Sequence, residues 1–139
     1  MGASKSKWKY EVRAESLDDP AYFSGDYEVT ELHHTPDQLV ITLVSADESR
    51  QIDVTFRQVL GYRVLDEGDL LEFWPECSTP NGWLFQINFG GWLQQELDRE
   101  GFLSGRNLLE TKGFMITGIS DCVNILSLDR PRIYKRQKV

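Results

Sequence analysis

Apolar and polar side chains alternate with a period of two along much of this chain, the pattern of strands that bury one face. In residues 8–13, Trp8, Tyr10 and Val12 alternate with Lys9, Glu11 and Arg13, so a first strand is predicted there. Ser16 to Pro20 carry turn or helix-cap chemistry, and the aromatic pair Tyr22-Phe23 before Gly25 reads as a loop. Residues 26–33 and 38–45 then predict a hairpin across Thr35-Pro36-Asp37, the second arm, QLVITLVS, holding the densest run of β-favouring residues. After a polar turn at residues 46–49, Ile52, Val54 and Phe56 face a core while Asp53, Thr55 and Arg57 face water, which completes a three-stranded meander. Past Phe56 the parity slips, because Val59, Tyr62 and Val64 fall on the other phase, and a bend is predicted between Gln58 and Gly61.

Residues 65–74 suit either a helix or a strand. Pro75 biases the residue before it toward extended backbone, so an extended segment beyond Gly68 is the expectation. A turn at Asn81-Gly82 leads into a strand with Trp83, Phe85, Ile87 and Phe89 on one core face. Gly90-Gly91 ends it, and residues 92–100 predict one short helix with Trp92, Leu93 and Leu97 inward and Gln95, Asp98 and Arg99 outward. Residues 108–119 and 122–128 predict two more strands, after which Pro131 and a basic tail end the domain. The pattern amounts to a β-rich α+β fold: a mostly antiparallel, twisted sheet of about six to eight strands with one short helix packed against it. A single domain over residues 1–139, with flexible basic ends at about 1–7 and 134–139, is expected.

Charge changes this picture. The net charge is −7, yet 21 of the 22 acidic residues and six of the 15 basic ones lie between Ala14 and Asp129, so that body carries −15. Such a surface repels phosphate and attracts cations, which argues against nucleic acid as a partner and for a basic protein. Keeping the chain soluble is the plainer use of the same charge. Aromatic residues make up 12% of the chain, which points to an aromatic-rich core. Cys77 and Cys122 form no metal-binding or redox pair and are expected as free thiols, Cys122 in the core and Cys77 the more exposed. A cytoplasmic protein without a membrane segment is expected. Gly2 to Ser6 match a short myristoylation pattern, for which a plain terminus is the simpler reading.

No residue pattern names a reaction. His33 and His34 are adjacent and would point to opposite faces of a strand, so no metal is expected. Neither cysteine lies in a nucleophile signature, no glycine spacing matches a phosphate loop, and Asp66-Glu67-Gly68-Asp69 lacks the spacing of a calcium loop. No cofactor and no catalytic residue are expected.

FRQVLGYRVLDEG at residues 56–68, Asn81-Gly82-Trp83, the helix at 92–100 and DCVNILS at 121–127 together resemble the small acidic immunity proteins of bacterial toxin–immunity systems, including the contact-dependent growth inhibition type. The resemblance spans about residues 26–134 and implies a cytoplasmic, noncatalytic, β-rich inhibitor. Its partner would be one cognate toxin, basic if a nuclease. Asp66, Glu67, Asp69, Glu72 and Glu76, joined by Glu96, Asp98 and Glu100, would make the charged contacts, with Trp74 or Trp92 as an aromatic anchor. The plainer reading makes the acids a solvated surface and both tryptophans core residues. Two other functions stay open: a small enzyme or ligand-binding domain with a pocket among the aromatics, calling on His33, His34 or Cys77, and a structural or adaptor subunit.

Overall fold

The meander predicted over residues 26–57 is present as three antiparallel strands, β2 (Tyr27–His34), β3 (Gln38–Ser45) and β4 (Arg50–Arg57). Its alternation works as the sequence requires. Leu39, Ile41 and Leu43 of β3 and Ile52, Val54 and Phe56 of β4 are buried on one side, while Thr42 Oγ1 donates to Asp53 Oδ1 at 2.9 Å on the other. The β3–β4 turn is fastened by Asp47, whose Oδ1 accepts from Ser45 Oγ at 2.7 Å and from Ser49 N at 3.0 Å. These hydrogen bonds, Ser49's hydroxyl foremost, hold its carboxyl well below the usual carboxylate range.

This computed structural model describes residues 11–17, 25–78, 81–102 and 111–137. Among them are nine strands in two antiparallel sheets, where the sequence pattern predicts one sheet of six to eight. The four-stranded sheet has the order β2-β3-β4-β9, with β9 at Arg132–Gln137. The five-stranded sheet has the order β1-β6-β7-β8-β5, built from β1 (Arg13–Ser16), β6 (Leu84–Phe89), β7 (Lys112–Thr117), β8 (Asp121–Ser127) and β5 (Val59–Asp66). The chain changes sheets at Gln58, at φ 52°, and β5 carries a register shift between Val59 and Gly61. The parity slip in the sequence is therefore the passage from one sheet to the other.

The sheets face each other across Leu39, Ile41, Val54 and Phe56 on one side and Leu84, Phe114, Ile116, Val123 and Ile125 on the other. The Phe56 and Phe114 rings meet at 5.3 Å across this core. The far face of the five-stranded sheet is buried too, where Phe85, Ile87, Met115 and Cys122 pack under Leu70, Phe73 and Cys77. Those three belong to a cap of two 3₁₀ turns, Glu67–Asp69 and Leu71–Phe73, followed by α1 (Trp74–Cys77). The extended segment predicted here is thus a helical cap. Trp74 is helical at φ −63° and ψ −31°, and Pro75 stands in the first turn of α1, where a missing N–H costs nothing.

Further expectations change. Residues 8–10 of the strand predicted at 8–13 lie outside the described residues; Glu11 and Val12 are not in a strand, and β1 begins at Arg13. Trp83 joins the core between the sheets, whereas Phe85 and Ile87 face the cap, so the four aromatic and aliphatic residues do not share one face. Phe89 is 49% exposed because β6 pairs with β7 only as far as Ile87. The basic C-terminal stretch, expected past the end of the domain, is an edge strand: β9 pairs with β4 from Arg50↔Gln137 to Thr55↔Arg132. Its single core-facing aliphatic, Ile133, leaves little alternation to detect. The predicted helix is α2 (Gly91–Leu97), with Trp92 and Leu93 half-buried and Leu97 44% exposed instead of inward. Gly90 precedes it at φ 73°, and a side chain there would strike the Glu11 carbonyl at 2.6 Å.

Candidate functional site

The acidic segment and α2 cover the same outer face of the five-stranded sheet, and Arg63 connects them. On β5 the side chain of Arg63 points away from the core between the sheets, and its Nε donates to Asn124 Oδ1 of β8 at 2.8 Å. Its guanidinium lies 5.1 Å from the Trp92 ring centroid, a cation–π contact that seats α2. Burial lowers the Arg63 pKa from its ordinary value, and the charges of Glu72 and Glu96 act to raise it. One half-buried cation is therefore within electrostatic reach of a carboxylate of the cap and a carboxylate of the helix.

Around this strut the predicted contact residues separate into distinct environments. Asp66, Glu67 and Asp69 are exposed, Asp66 capping the first 3₁₀ turn by accepting from Gly68 N at 2.9 Å. Glu72 and Glu76 are half-buried. Glu96 is paired with Arg99 at 2.6 Å, while Asp98 and Glu100 are exposed beyond the helix end. Leu71, at the start of the second 3₁₀ turn, is 54% exposed. Trp74 packs its partly buried ring on the cap core and also lines the cavity beside it, and Trp92 lies under Arg63. Charge pattern alone reveals the acids, but not Arg63, Leu71 or Leu97.

Next to the cap, at one end of the sandwich, lies a cavity of about 370 Å³. The turn between β7 and β8 forms one wall and is tied down from two sides. Ile119 N donates to Tyr27 O at 2.9 Å, and Glu67 N donates to Ser120 O at 3.1 Å. Ser120 also donates through its N and Oγ to the Glu28 carboxylate, both at 3.3 Å. Gly118 is required there, because a Cβ would collide with the Asp121 carbonyl and come within 3.0 Å of Val29. Tyr27 and Trp83, with rings 5.5 Å apart, close the inner wall, Trp74 and Ile119 add further apolar surface, and Asp26 and Glu67 bring carboxylates. No match was found to any protein-family model, curated protein or solved structure. Function must therefore be read from geometry and charge.

Neither histidine lines the cavity; both are exposed on β2, His34 with its ring 5.3 Å from that of Tyr62. Cys77 does line it, but is fully buried, contrary to the expected exposure. Burial, with the neighbouring Glu76 charge and Cys122, pushes its thiol up to about 12, so it stays protonated at neutral pH. Cys122, also buried and free, is pushed up to about 11. Among the described residues, no group of three or more His, Cys, Asp or Glu could hold a metal ion, and no helix is long and apolar enough to cross a membrane.

Proposed function

We propose that this chain is a binding protein that neutralises a cationic protein, in the manner of an immunity protein against its toxin. The observation that carries this reading is the outer layer of the five-stranded sheet, where the acidic cap and α2 lie side by side and Arg63 stacks on Trp92 of the helix. On that face Asp66, Glu67 and Asp69 are open to solvent and Leu71 is exposed among them. Negative charges spread over such a cap steer a basic partner into encounter, and an exposed leucine adds apolar contact once it docks. A nuclease toxin would present such a partner, because its substrate cleft must hold phosphates.

Co-expression with the product of the adjacent gene tests the idea. A stable complex and protection of the cell are expected, and the absence of both would refute it. Within a complex, lysine at Asp66, Glu67 and Asp69 together should slow association by about tenfold at low salt and flatten its dependence on ionic strength. Stopped-flow association rates unchanged by that triple replacement would remove the cap from the contact surface.

A further inference from the structure

We propose that the cavity beside the cap is a socket for one basic side chain of the partner, arginine by preference. The inference rests on the preceding functional reading for the identity of the partner, but on the cavity's own chemistry for the choice of side chain. Its described lining includes two acidic residues, Asp26 and Glu67, and no basic one. Both carboxylates belong to exposed residues, whereas Trp74 is half-buried and the Tyr27 and Trp83 rings lie deeper. An arginine lying across the mouth suits this lining: its planar cation pairs with a rim carboxylate while its apolar stem packs on the half-buried Trp74 and on Ile119. The chain's own Arg50 already sets its Cζ 5.9 Å from the Tyr27 ring centroid, so that ring is taken and the partner's cation is left to the carboxylates and Trp74.

The wall is also preformed. Backbone hydrogen bonds from Ile119 to Tyr27 and from Glu67 to Ser120 hold the turn, the cap and β2 in one arrangement, so little ordering is left to occur on binding. A volume of about 370 Å³ admits one long side chain and lies at the small end of ligand pockets. Position matters as well, since Glu67 belongs both to the socket and to the acidic cap. A basic residue steered by the cap would reach the cavity without crossing an uncharged surface.

The test uses arginamide as probe and norleucinamide as the apolar control, with the full chain followed by amide and indole nuclear magnetic resonance. Arginamide should give saturable shifts at Trp74 and Ile119 that norleucinamide does not, and Asp26→Asn or Glu67→Gln should each weaken binding about fivefold. Equal shifts with both probes, no saturation, or indifference to both substitutions would overturn the socket. In the partner complex, D26N/E67Q should speed dissociation about tenfold or more. A complex that forms and dissociates from D26N/E67Q at the unaltered rate would sink the socket while leaving the acidic-cap reading standing. Saturable arginamide binding without any complex on co-expression would support the socket and count against the immunity reading.

Discussion

Cys77 shows how far residue chemistry departs from local sequence. Beside Pro75, Glu76 and Ser78 it reads as a surface thiol, yet α1 turns it under the cap against Phe73 and Met115 in the cluster that also holds Cys122. Burial pushes the two thiols up to about 12 and about 11, above their ordinary value. A thiol whose folded pKa exceeds the unfolded one is held protonated by the fold. Its contribution is whole below the unfolded value of about 8.5 and is lost as pH rises toward the folded values. Urea unfolding should therefore show stability falling between pH 8 and pH 10 by on the order of 1–2 kcal/mol per thiol. Cys77→Ala should start from a lower stability and lose less over the same interval. An identical slope in that variant would show that Cys77 does not titrate on unfolding. Thiol reagents should label neither cysteine at neutral pH until the protein unfolds.

Elements with strong alternation are legible from the residues alone. QLVITLVS forms β3 as a strand paired with its neighbours, and Ile52, Val54 and Phe56 of β4 face the core in the predicted phase, because alternating apolar and polar residues leave a single buried register. Alternation reports which side of a strand is apolar, but not which sheet the strand joins. That is why the pattern suggests one sheet where there are two, and why it hides Leu84, buried opposite Phe85 in a sheet covered on both faces. β9 offers too few apolar residues to register, and the cap escapes the pattern because Pro75 marks a helix start as well as a helix stop. Of the candidate site, the acids are legible as charge, while Arg63 and the cavity arise from long-range register and have no local signature. Gln58 tests the strongest element-level reading. At φ 52° it occupies the left-handed region, where a β-branched side chain is strained. Gln58→Val should destabilise the fold by about 1–2 kcal/mol, and Gln58→Gly should stay within about 1 kcal/mol of the original. Chemical denaturation of the two variants measures this. Equal stability would mean that the crossover is not set by that backbone angle.

At the scale of the whole molecule, the layers are unequal and the charge follows them. The five-stranded sheet is covered on both faces, by the other sheet and by the cap, and every residue of β8 after Asp121 is buried. The four-stranded sheet is covered on one face and ends in β9, whose Arg136 reaches Asp53 at 2.6 Å on the open side. Carboxylates crowd the cap, while the edge strand β9 carries Arg132, Lys135 and Arg136 and no acidic residue. Hydrogen exchange reads both asymmetries in one experiment. In the free chain, amides of Phe114 to Ile116 and Val123 to Leu126 should exchange only through global unfolding, and those of β9 through local opening at the edge. Equal protection in β8 and β9 would contradict the layered account of stability. When a basic partner binds, new protection should gather in residues 66–77 and along α2, because steering and docking act through the same charged cap. The edge strand should keep its free-state exchange, since its arginines and lysine repel that partner. Protection arriving instead along β9 would place the interface on the basic side, and the partner would then have to be acidic.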